Sequence, residues 1–490
     1  MKSLTLLTTS LLLTTTLSAP ATPSQSEDEY IVLLAPDNKN SWSSIFSSMG
    51  YNRTTRHVSA HNTYGVRTLG ATFLTSHGTN IQTFGDGENF RGFTMKMPRT
   101  HSVNVAGMEG IAIVEKNHRR GKQMPKVSLT HSVRNIKHSP PSSSSSYSPQ
   151  GVYRRYLHRR QQQPATNPNS TTEGGFTTEL IQQSTAPWGL QRISSQPPIP
   201  ADGRNITELT YKHRFDRTAG TGVDIYIVDS GIKINHSDFN GRAKVLFSAF
   251  NDSGDDKDGH GTHVAGTAGS LHYGVAKNSN LWGVKVLDDN GGGSDSGIAA
   301  GIDAVLTAHN KRKEDKEFAG SVINMSLGAP ETSQVIFTAI KRAVEAGIHF
   351  TIAPGNDNKD SCTDFPAGFV TQLPSLITVG ATDIDDNRAD FSDFGKCVDI
   401  HAPGVMIVST TNDGNIADKD GTSMATPAVA GVVADLLAQN ERFKLDPMGM
   451  KKFLLEKSLK GVIKLKAGDR ATDGGTERVL LNTGVGGVPK

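Results

Sequence analysis

The sequence of 490 residues predicts an α/β fold, a parallel β-sheet flanked by helices, preceded by a small α+β domain. From residue 176 onwards, near-continuous apolar runs alternate with helical stretches, a pattern typical of a parallel sheet that is covered on both faces. Ahead of this part, residues 29–117 contain shorter strand-like runs, and a polar, basic stretch separates the two. We therefore expect two folded domains joined by a linker.

Residues 1–21 have the features of a secretory signal peptide. Lys2 precedes a short apolar, Thr-rich run, and the small residues at 19–21 suit a cleavage site. The apolar run is too short to cross a bilayer as a helix, and no other stretch is apolar enough to do so. We expect no membrane partner. The net charge of +3 and the absence of basic patches interleaved with aromatic residues argue against a nucleic-acid partner.

The small domain at 29–117 is predicted to contain strands at 30–34 and 110–114. Residues 118–175 differ in composition, because the stretch 116–160 holds eleven Lys or Arg and no Asp or Glu. A segment of this kind buries no core, so we expect 118–175 to be a disordered linker whose dibasic pairs are open to processing.

The large domain at 176–490 is predicted to contain five buried strands and three helices. The strands are expected at 223–228, 281–287, 321–327, 348–353 and 376–379, and the helices at 297–310, at 332–346 and after Gly421. In parallel sheets of this type, working residues gather at the carboxyl ends of the strands.

Two candidate residues lie at Asp229 and His260. Asp229 ends the strand at 223–228, where an aspartate also suits a simple turn or helix cap. His260 begins the stretch His-Gly-Thr-His-Val-Ala-Gly, whose small residues favour a helix that packs closely on a sheet. A zinc-protease helix needs two histidines four apart with a glutamate between them. Since His263 is only three residues away and no glutamate intervenes, we interpret His263 as a structural residue.

Two further candidates are Ser423 and Asn356. Ser423 begins a run of small residues, where a serine is either a helix N-cap or a nucleophile facing a cleft. Its surroundings lack the G-x-S-x-G elbow of lipases and esterases. Asn356 follows the strand at 348–353, where it is either a turn residue or an amide donor to a developing oxyanion. Serine-based cleavage of an ester or amide needs a nucleophile, a base, an acid that orients the base, and oxyanion donors.

Three motifs in order resemble those of the subtilisin-like serine proteases: Asp229-Ser-Gly, His260-Gly-Thr-His-Val-Ala-Gly and Gly421-Thr-Ser-Met-Ala-Thr-Pro. Two further stretches, at 186–193 and 395–404, resemble the proteinase K and cerevisin branch found in fungi. The resemblance covers about residues 183–490. It implies a triad of Asp229, His260 and Ser423, with Asn356 as the oxyanion donor. It also implies that residues 29–117 are an inhibitory propeptide that blocks the cleft until it is cut.

The resemblance implies further sites. Two edge segments would pair with the substrate backbone, which predicts broad specificity; they are Gly291, Gly292 and Gly293, and Ser326, Leu327 and Gly328. Cys362 and Cys397, which composition alone leaves as either a disulfide or two buried thiols, occupy positions where relatives carry a disulfide. Pro374, Leu376 and Asp399 resemble a calcium site of some relatives, whereas the chemistry itself needs no cofactor.

We therefore expect a monomeric serine endopeptidase that acts on polypeptides and is made as a zymogen inhibited by its own propeptide. The expected location is extracellular, with a vacuolar lumen as the alternative. Sequons in keeping with the secretory route lie at Asn52, Asn169, Asn205, Asn235 and Asn251. Two other functions compete, a non-catalytic secreted homologue acting as a binding protein, and a lipase or esterase. The complete triad argues against the first, and the missing elbow argues against the second.

Overall fold

The computed structural model describes residues 27–51, 54–56, 69, 71–75, 80–85, 90–122, 171–173, 176–464 and 478–484. The predicted signal peptide and most of the predicted linker lie outside these residues. None of the described helices has the length and apolar character needed to span a membrane. The helices are α1 Trp42–Ser48, α2 Arg99–Ala106, α3 Trp188–Ile193, α4 His260–Gly269, α5 Asp295–Arg312, α6 Gln334–Glu345, α7 Thr422–Gln439 and α8 Pro447–Lys457.

The N-terminal unit is a six-stranded antiparallel sheet, with strand order β2-β3-β4-β5-β1-β6, that packs with α1 and α2. Its strands are β1 Asp28–Leu34, β2 Thr54–Arg56, β3 Thr72–Thr75, β4 Asn80–Phe84, β5 Gly92–Met97 and β6 Ile111–Lys116. Successive side chains of a strand point to opposite faces. Tyr30 and Val32 accordingly join Phe46 in the core of this unit, whereas Ile31 and Leu33 join the core of the larger unit.

The larger unit is built on a nine-stranded sheet that is parallel except for its last pair. In spatial order its strands are β13 Ala243–Ser248, β14 Asn280–Lys285, β12 Val223–Asp229, β16 Gly320–Met325, β18 His349–Ile352, β19 Ile377–Thr382, β20 Ile400–Pro403, β24 Val479–Leu480 and β23 Leu459–Lys460. Short pairs complete it: β10 Leu180–Ala186 with β11 Tyr211–Asp216, β21 Ile407–Thr410 with β22 Ile416–Lys419, and β8 Thr171–Glu173 with β9 Phe176–Thr178. The predicted parallel sheet is confirmed.

The sheet lies between two layers of helices, and β12 shows this within one strand. Ile225 and Ile227 pack in a core shared with α4 and α7, whereas Tyr226 and Val228 pack in a core shared with α5 and α6. Every residue of β12 is buried. Its near-continuous apolar sequence therefore reflects burial on both faces, which leaves the carboxyl end at Asp229 as the place for polar chemistry.

The N-terminal unit docks on the larger unit by capping two of its helices. The Glu115 carboxylate accepts hydrogen bonds from the backbone amides of Gln334 and Val335 at 2.9 and 3.1 Å, at the start of α6. The Asn117 side chain accepts one from the Ser296 amide at 3.1 Å, at the start of α5. Unpaired amides and a partial positive charge at helix N-termini favour a carboxylate there.

The predicted linker begins later than expected. Residues 118–122 were predicted to be disordered, yet β7 Arg119–Lys122 is an ordered strand between β15 Gly292–Ser294 and β17 Leu327–Gly328. Residues 171–173 of the same segment are also a strand. The composition argument fails at β7 because this strand needs no apolar core of its own. It is held by backbone pairing and by ion pairs to the larger unit. Residues 123–170 lie outside the described part.

Candidate active site

The polar site begins with a buried pair at the end of β12. Nδ1 of His260 lies 2.8 Å from Oδ1 of Asp229, and both side chains are fully buried. Oδ1 of Asp229 also accepts the Ser230 amide at 2.7 Å. The other histidine nitrogen, Nε2, has no hydrogen-bond partner in the described part of the chain. A histidine held this way has its tautomer fixed by the carboxylate and a nitrogen available for proton transfer.

Close packing of α4 on β12 explains the glycine after His260. A Cβ atom at Gly261 would lie 2.2 Å from the Gly231 carbonyl oxygen and 3.2 Å from Asp229 Cβ. Any larger residue would therefore push the helix, and His260 with it, away from Asp229. His263 lies in the same helix, where Nε2 meets the Ala417 carbonyl oxygen at 3.1 Å. Burial holds the pKa of His263 well below its usual range, so the ring is neutral. Its structural role is confirmed.

Asp256 is a positioning residue that sequence reasoning missed. Its carboxylate accepts the Gly259 amide at 2.8 Å, the Thr262 amide at 2.8 Å and the Ser230 hydroxyl at 2.9 Å. These bonds tie the start of α4 to the turn after β12, so they fix His260 relative to Asp229. The acidic run ahead of His260 was the available signal, because carboxylates favour helix N-termini.

Ser423 is the second residue of α7, and its side chain is buried. Its hydroxyl donates to the Ser326 carbonyl oxygen at 3.3 Å, and the Ser326 hydroxyl donates to the Ser423 carbonyl oxygen at 3.0 Å. Since Nε2 of His260 has no partner among the described residues, the serine is not bonded to the histidine in this arrangement. Helices α4 and α7, which carry the two residues, pack against each other.

Asn356 is oriented by the first turn of α7. Its Oδ1 accepts the Thr422 amide at 2.9 Å and the Thr422 hydroxyl at 3.1 Å. Its Nδ2 is buried and has no hydrogen-bond partner in the described residues. Fixing the oxygen leaves both N–H groups of the amide free, as an oxyanion donor requires.

The two predicted edge segments hold the chain's own strand β7 between them. Gly292 and Gly293 pair antiparallel with Gly121 and Arg120, and Leu327 pairs with Lys122. The Lys122 amide donates to the Gly291 carbonyl oxygen at 3.1 Å. An extended peptide that adds a strand to exposed edges is a common mode of peptide recognition. The segments thus have the geometry of a peptide-binding groove.

Comparison with known proteins decides the family. The profile of the Subtilase family matches residues 220–486, which is more than half of the chain. This chain belongs to the subtilase family. Proteinase T of Parengyodontium album is 45% identical over 305 residues, a match that covers 62% of this chain and 94% of that protein.

Two further relatives indicate the branch of the family to which this subtilase is similar. Cerevisin of Saccharomyces cerevisiae is 43% identical over 303 residues, 58% of this chain, and the match spans only 46% of cerevisin. A solved structure of a cold-adapted subtilisin-like serine proteinase is 38% identical and covers 61% of this chain and 99% of that chain, with a TM-score of 0.52. The predicted resemblance to the proteinase K and cerevisin branch is confirmed.

The disulfide of this subtilase joins Cys362 to Cys397, with Cα atoms 5.3 Å apart, as the resemblance implied. Of the sequons, Asn205, Asn235 and Asn251 are exposed, which glycosylation requires, while Asn52 and Asn169 lie outside the described residues. Glycosylation therefore stays a prediction.

The predicted calcium donors meet a lysine instead. Nζ of Lys451 lies 2.6 Å from the Leu376 carbonyl oxygen and 2.7 Å from Oδ1 of Asp399. Oδ2 of Asp399 accepts the Thr378 amide at 2.9 Å, and Pro374 is exposed. Calcium takes six to eight oxygen ligands and repels a neighbouring ammonium group. This donor set does not fit calcium while Lys451 is bonded to it.

Proposed function

We propose that this subtilase is a serine endopeptidase that hydrolyses peptide bonds and is made as a zymogen. The observation that carries the proposal is the buried His260–Asp229 pair, whose remaining nitrogen, Nε2, has no partner among the described residues. Family membership supplies the nucleophile, because Ser423 stands in the motif of the subtilases. The groove around β7 supports a polypeptide substrate.

In the proposed mechanism, Ser423 turns its hydroxyl from the Ser326 carbonyl to Nε2 of His260. His260 takes the proton as the serine oxygen attacks the peptide carbonyl carbon, and Asp229 stabilises the histidinium that forms. Nδ2 of Asn356 and the Ser423 amide hold the oxyanion. His260 then gives the proton to the leaving amine. Water attacks the acyl-enzyme with His260 again as base, which restores Ser423.

Autoinhibition is the second part of the proposal. The N-terminal unit delivers β7 to the groove, and the backbone pairing of β7 excludes another peptide from the same edges. Glu115 and Asn117 hold the unit in place. We propose that cleavage after β7 releases it. The disulfide and exposed sequons support a secretory destination, extracellular or vacuolar, and we expect the mature enzyme to act as a monomer.

The test is casein hydrolysis by the matured protein beside a Ser423→Ala variant. We expect the variant to lose activity by about 10⁴-fold or more, since the nucleophile acts as a unit with His260 and Asp229. Circular dichroism of both proteins controls for folding. If both are folded and free of the N-terminal unit yet neither cleaves casein, the endopeptidase function is refuted and a binding protein takes its place.

A further inference from the structure

The strand β7 carries three basic side chains that each meet an acidic side chain of the groove. Arg119 pairs with Asp288, Arg120 with Asp295, and Lys122 with Asp258. The three pairs differ sharply in burial. The Arg119 side chain is 69% exposed and that of Lys122 is 30% exposed, whereas those of Arg120 and Asp295 are 1% and 0% exposed. Exposed ion pairs contribute little to binding, so the buried pair is the informative one.

Asp295 receives the guanidinium of Arg120 in a two-pronged contact. Nε of Arg120 bonds to Oδ1 of Asp295, Nη2 lies 3.1 Å from Oδ2, and Nη1 donates to the Glu331 carbonyl oxygen. This planar arrangement uses both carboxylate oxygens and fits arginine rather than lysine. A lysine ammonium at the same place would lose one of the two parallel bonds.

A role in capping α5 does not account for Asp295. Acidic residues in a first helical turn are often simple partners of the helix dipole. Here, however, the cap is Ser294, whose hydroxyl accepts the Gly297 amide at 3.1 Å. Both carboxylate oxygens of Asp295 instead face the β7 segment, since His118 also lies 3.2 Å from Oδ2. A peptide that covers Asp295 as β7 does, but supplies no cation, leaves a desolvated and unpaired carboxylate at a large cost, which an arginine at that position avoids.

We propose that Asp295 is a specificity-determining residue that selects arginine in the peptide substrate. The selected position is the one that pairs opposite Gly293, in the same chain direction as β7. Asp258 adds a weaker preference for a basic residue two positions later in the substrate. In β7 that position is Lys122, whose Nζ lies 2.6 Å from Oδ2 of Asp258. The inference rests on the proposed endopeptidase function, and it narrows the broad specificity that backbone pairing alone implies.

The experiment maps cleavage sites by mass spectrometry in a mixed peptide library digested by the matured enzyme. We expect arginine to be enriched at one fixed position on the N-terminal side of the cut, with lysine or arginine enriched two positions later. Matched synthetic peptides with arginine or its neutral isostere citrulline at the first position then give kcat/KM. We expect citrulline to lower kcat/KM by more than about tenfold.

The Asp295→Asn variant is the decisive comparison, because asparagine keeps the shape and removes the charge. This variant should still cleave, but its ratio of kcat/KM for the arginine peptide to kcat/KM for the citrulline peptide should fall towards one. The control is Asp315→Asn, which removes the same charge beyond the other end of α5 and should keep the wild-type ratio.

If wild type cleaves but shows no arginine preference, the inference is refuted and the endopeptidase function stands. If wild type cleaves nothing, both are refuted. If Asp295→Asn fails to fold, the citrulline comparison in wild type decides.

Discussion

At the scale of single residues, the loop that presents Asn356 rests on a buried carboxyl group. Gly355 has a φ of +129°, and a Cβ atom there would lie 2.2 Å from Oδ2 of Asp393. Oδ1 of Asp393 accepts the Asp357 and Lys359 amides at 2.8 and 3.1 Å. The glycine and the aspartate together shape the turn, so the position of the proposed oxyanion donor depends on both of them.

Asp393 predicts a pH dependence of stability. Burial, helped by the nearby charge of Asp364, raises the pKa of Asp393 to about 7, against the Lys359 and Asp357 amides and the Lys359 charge, which lower it. The folded state thus keeps a proton that the unfolded chain releases near pH 4. This contribution is complete below about pH 4 and is lost as the pH rises to about 7. The unfolding free energy of the wild type should therefore fall between about pH 5 and about pH 8. The fall should be smaller in Asp393→Asn, by roughly 2–3 kcal/mol.

Urea unfolding of the full chain in a Ser423→Ala background, which prevents self-digestion, measures this dependence. Asparagine keeps an oxygen acceptor for the Asp357 and Lys359 amides, so the loop should remain intact. An identical pH dependence in both proteins would show that Asp393 is ionised throughout and contradict the prediction.

At the scale of elements, the charged side chain of Lys451 joins α8 to the sheet. Lys451 of α8 reaches the loop before β19 and the strand-flanking Asp399, at distances typical of charge-assisted hydrogen bonds. The cation that joins these elements is therefore covalently part of the chain. A bound ion would leave when chelated, whereas a lysine stays.

Calcium removal tests this arrangement. We expect EDTA to leave the wild-type Tm unchanged, because Lys451 already neutralises Asp399. Lys451→Met should lower the unfolding free energy by about 3 kcal/mol, since Asp399 is left without its partner. Added calcium should restore part of that loss in the variant alone. Thermal melts in a Ser423→Ala background measure both effects. A fall in the wild-type Tm with EDTA that calcium reverses would instead favour metal binding.

At the scale of the whole molecule, the N-terminal unit and the larger unit share a core and a set of helix caps. Ile31 and Leu33 are buried in the core of the larger unit, and Glu115 caps α6. Docking of the unit and occupation of the groove by β7 are therefore linked, because β6 ends at Lys116 and β7 begins at Arg119.

Glu115→Ala should weaken this docking and shorten the lag before casein hydrolysis begins. Losing a carboxylate that accepts backbone amides typically weakens an interface by about tenfold or more. The measurement is the time course of activity after expression of the full chain. Glu109→Ala, which removes an exposed acidic side chain of the same unit, should leave the lag unchanged. An unaltered lag in Glu115→Ala would show that the cap on α6 does not contribute to inhibition, and would contradict the prediction.

The sequence by itself determined the parallel sheet and marked Asp229, His260, Ser423 and Asn356 as candidates for the polar site, although it did not reveal Asp256. These follow from local patterns, since apolar runs mark buried strands and Asp229, His260 and Ser423 each lie in a short motif. The ends of the strands were less well determined. Ser326, predicted within a strand, lies just beyond β16, because the chain leaves the sheet where it lines the groove.

Only the tertiary structure decided which distant charges meet. Arg120 and Asp295 are 175 positions apart, and Lys451 is 75 positions from Leu376. Composition marked 118–122 as a disordered basic stretch, and the family resemblance implied a possible calcium site at Pro374, Leu376 and Asp399. Neither source contains information about the charged partner that folding brings to these residues. Charge pairing acts over a few ångströms in space, whatever the separation along the chain, so the groove's ion pairs and the lysine at Asp399 appear only in the folded molecule.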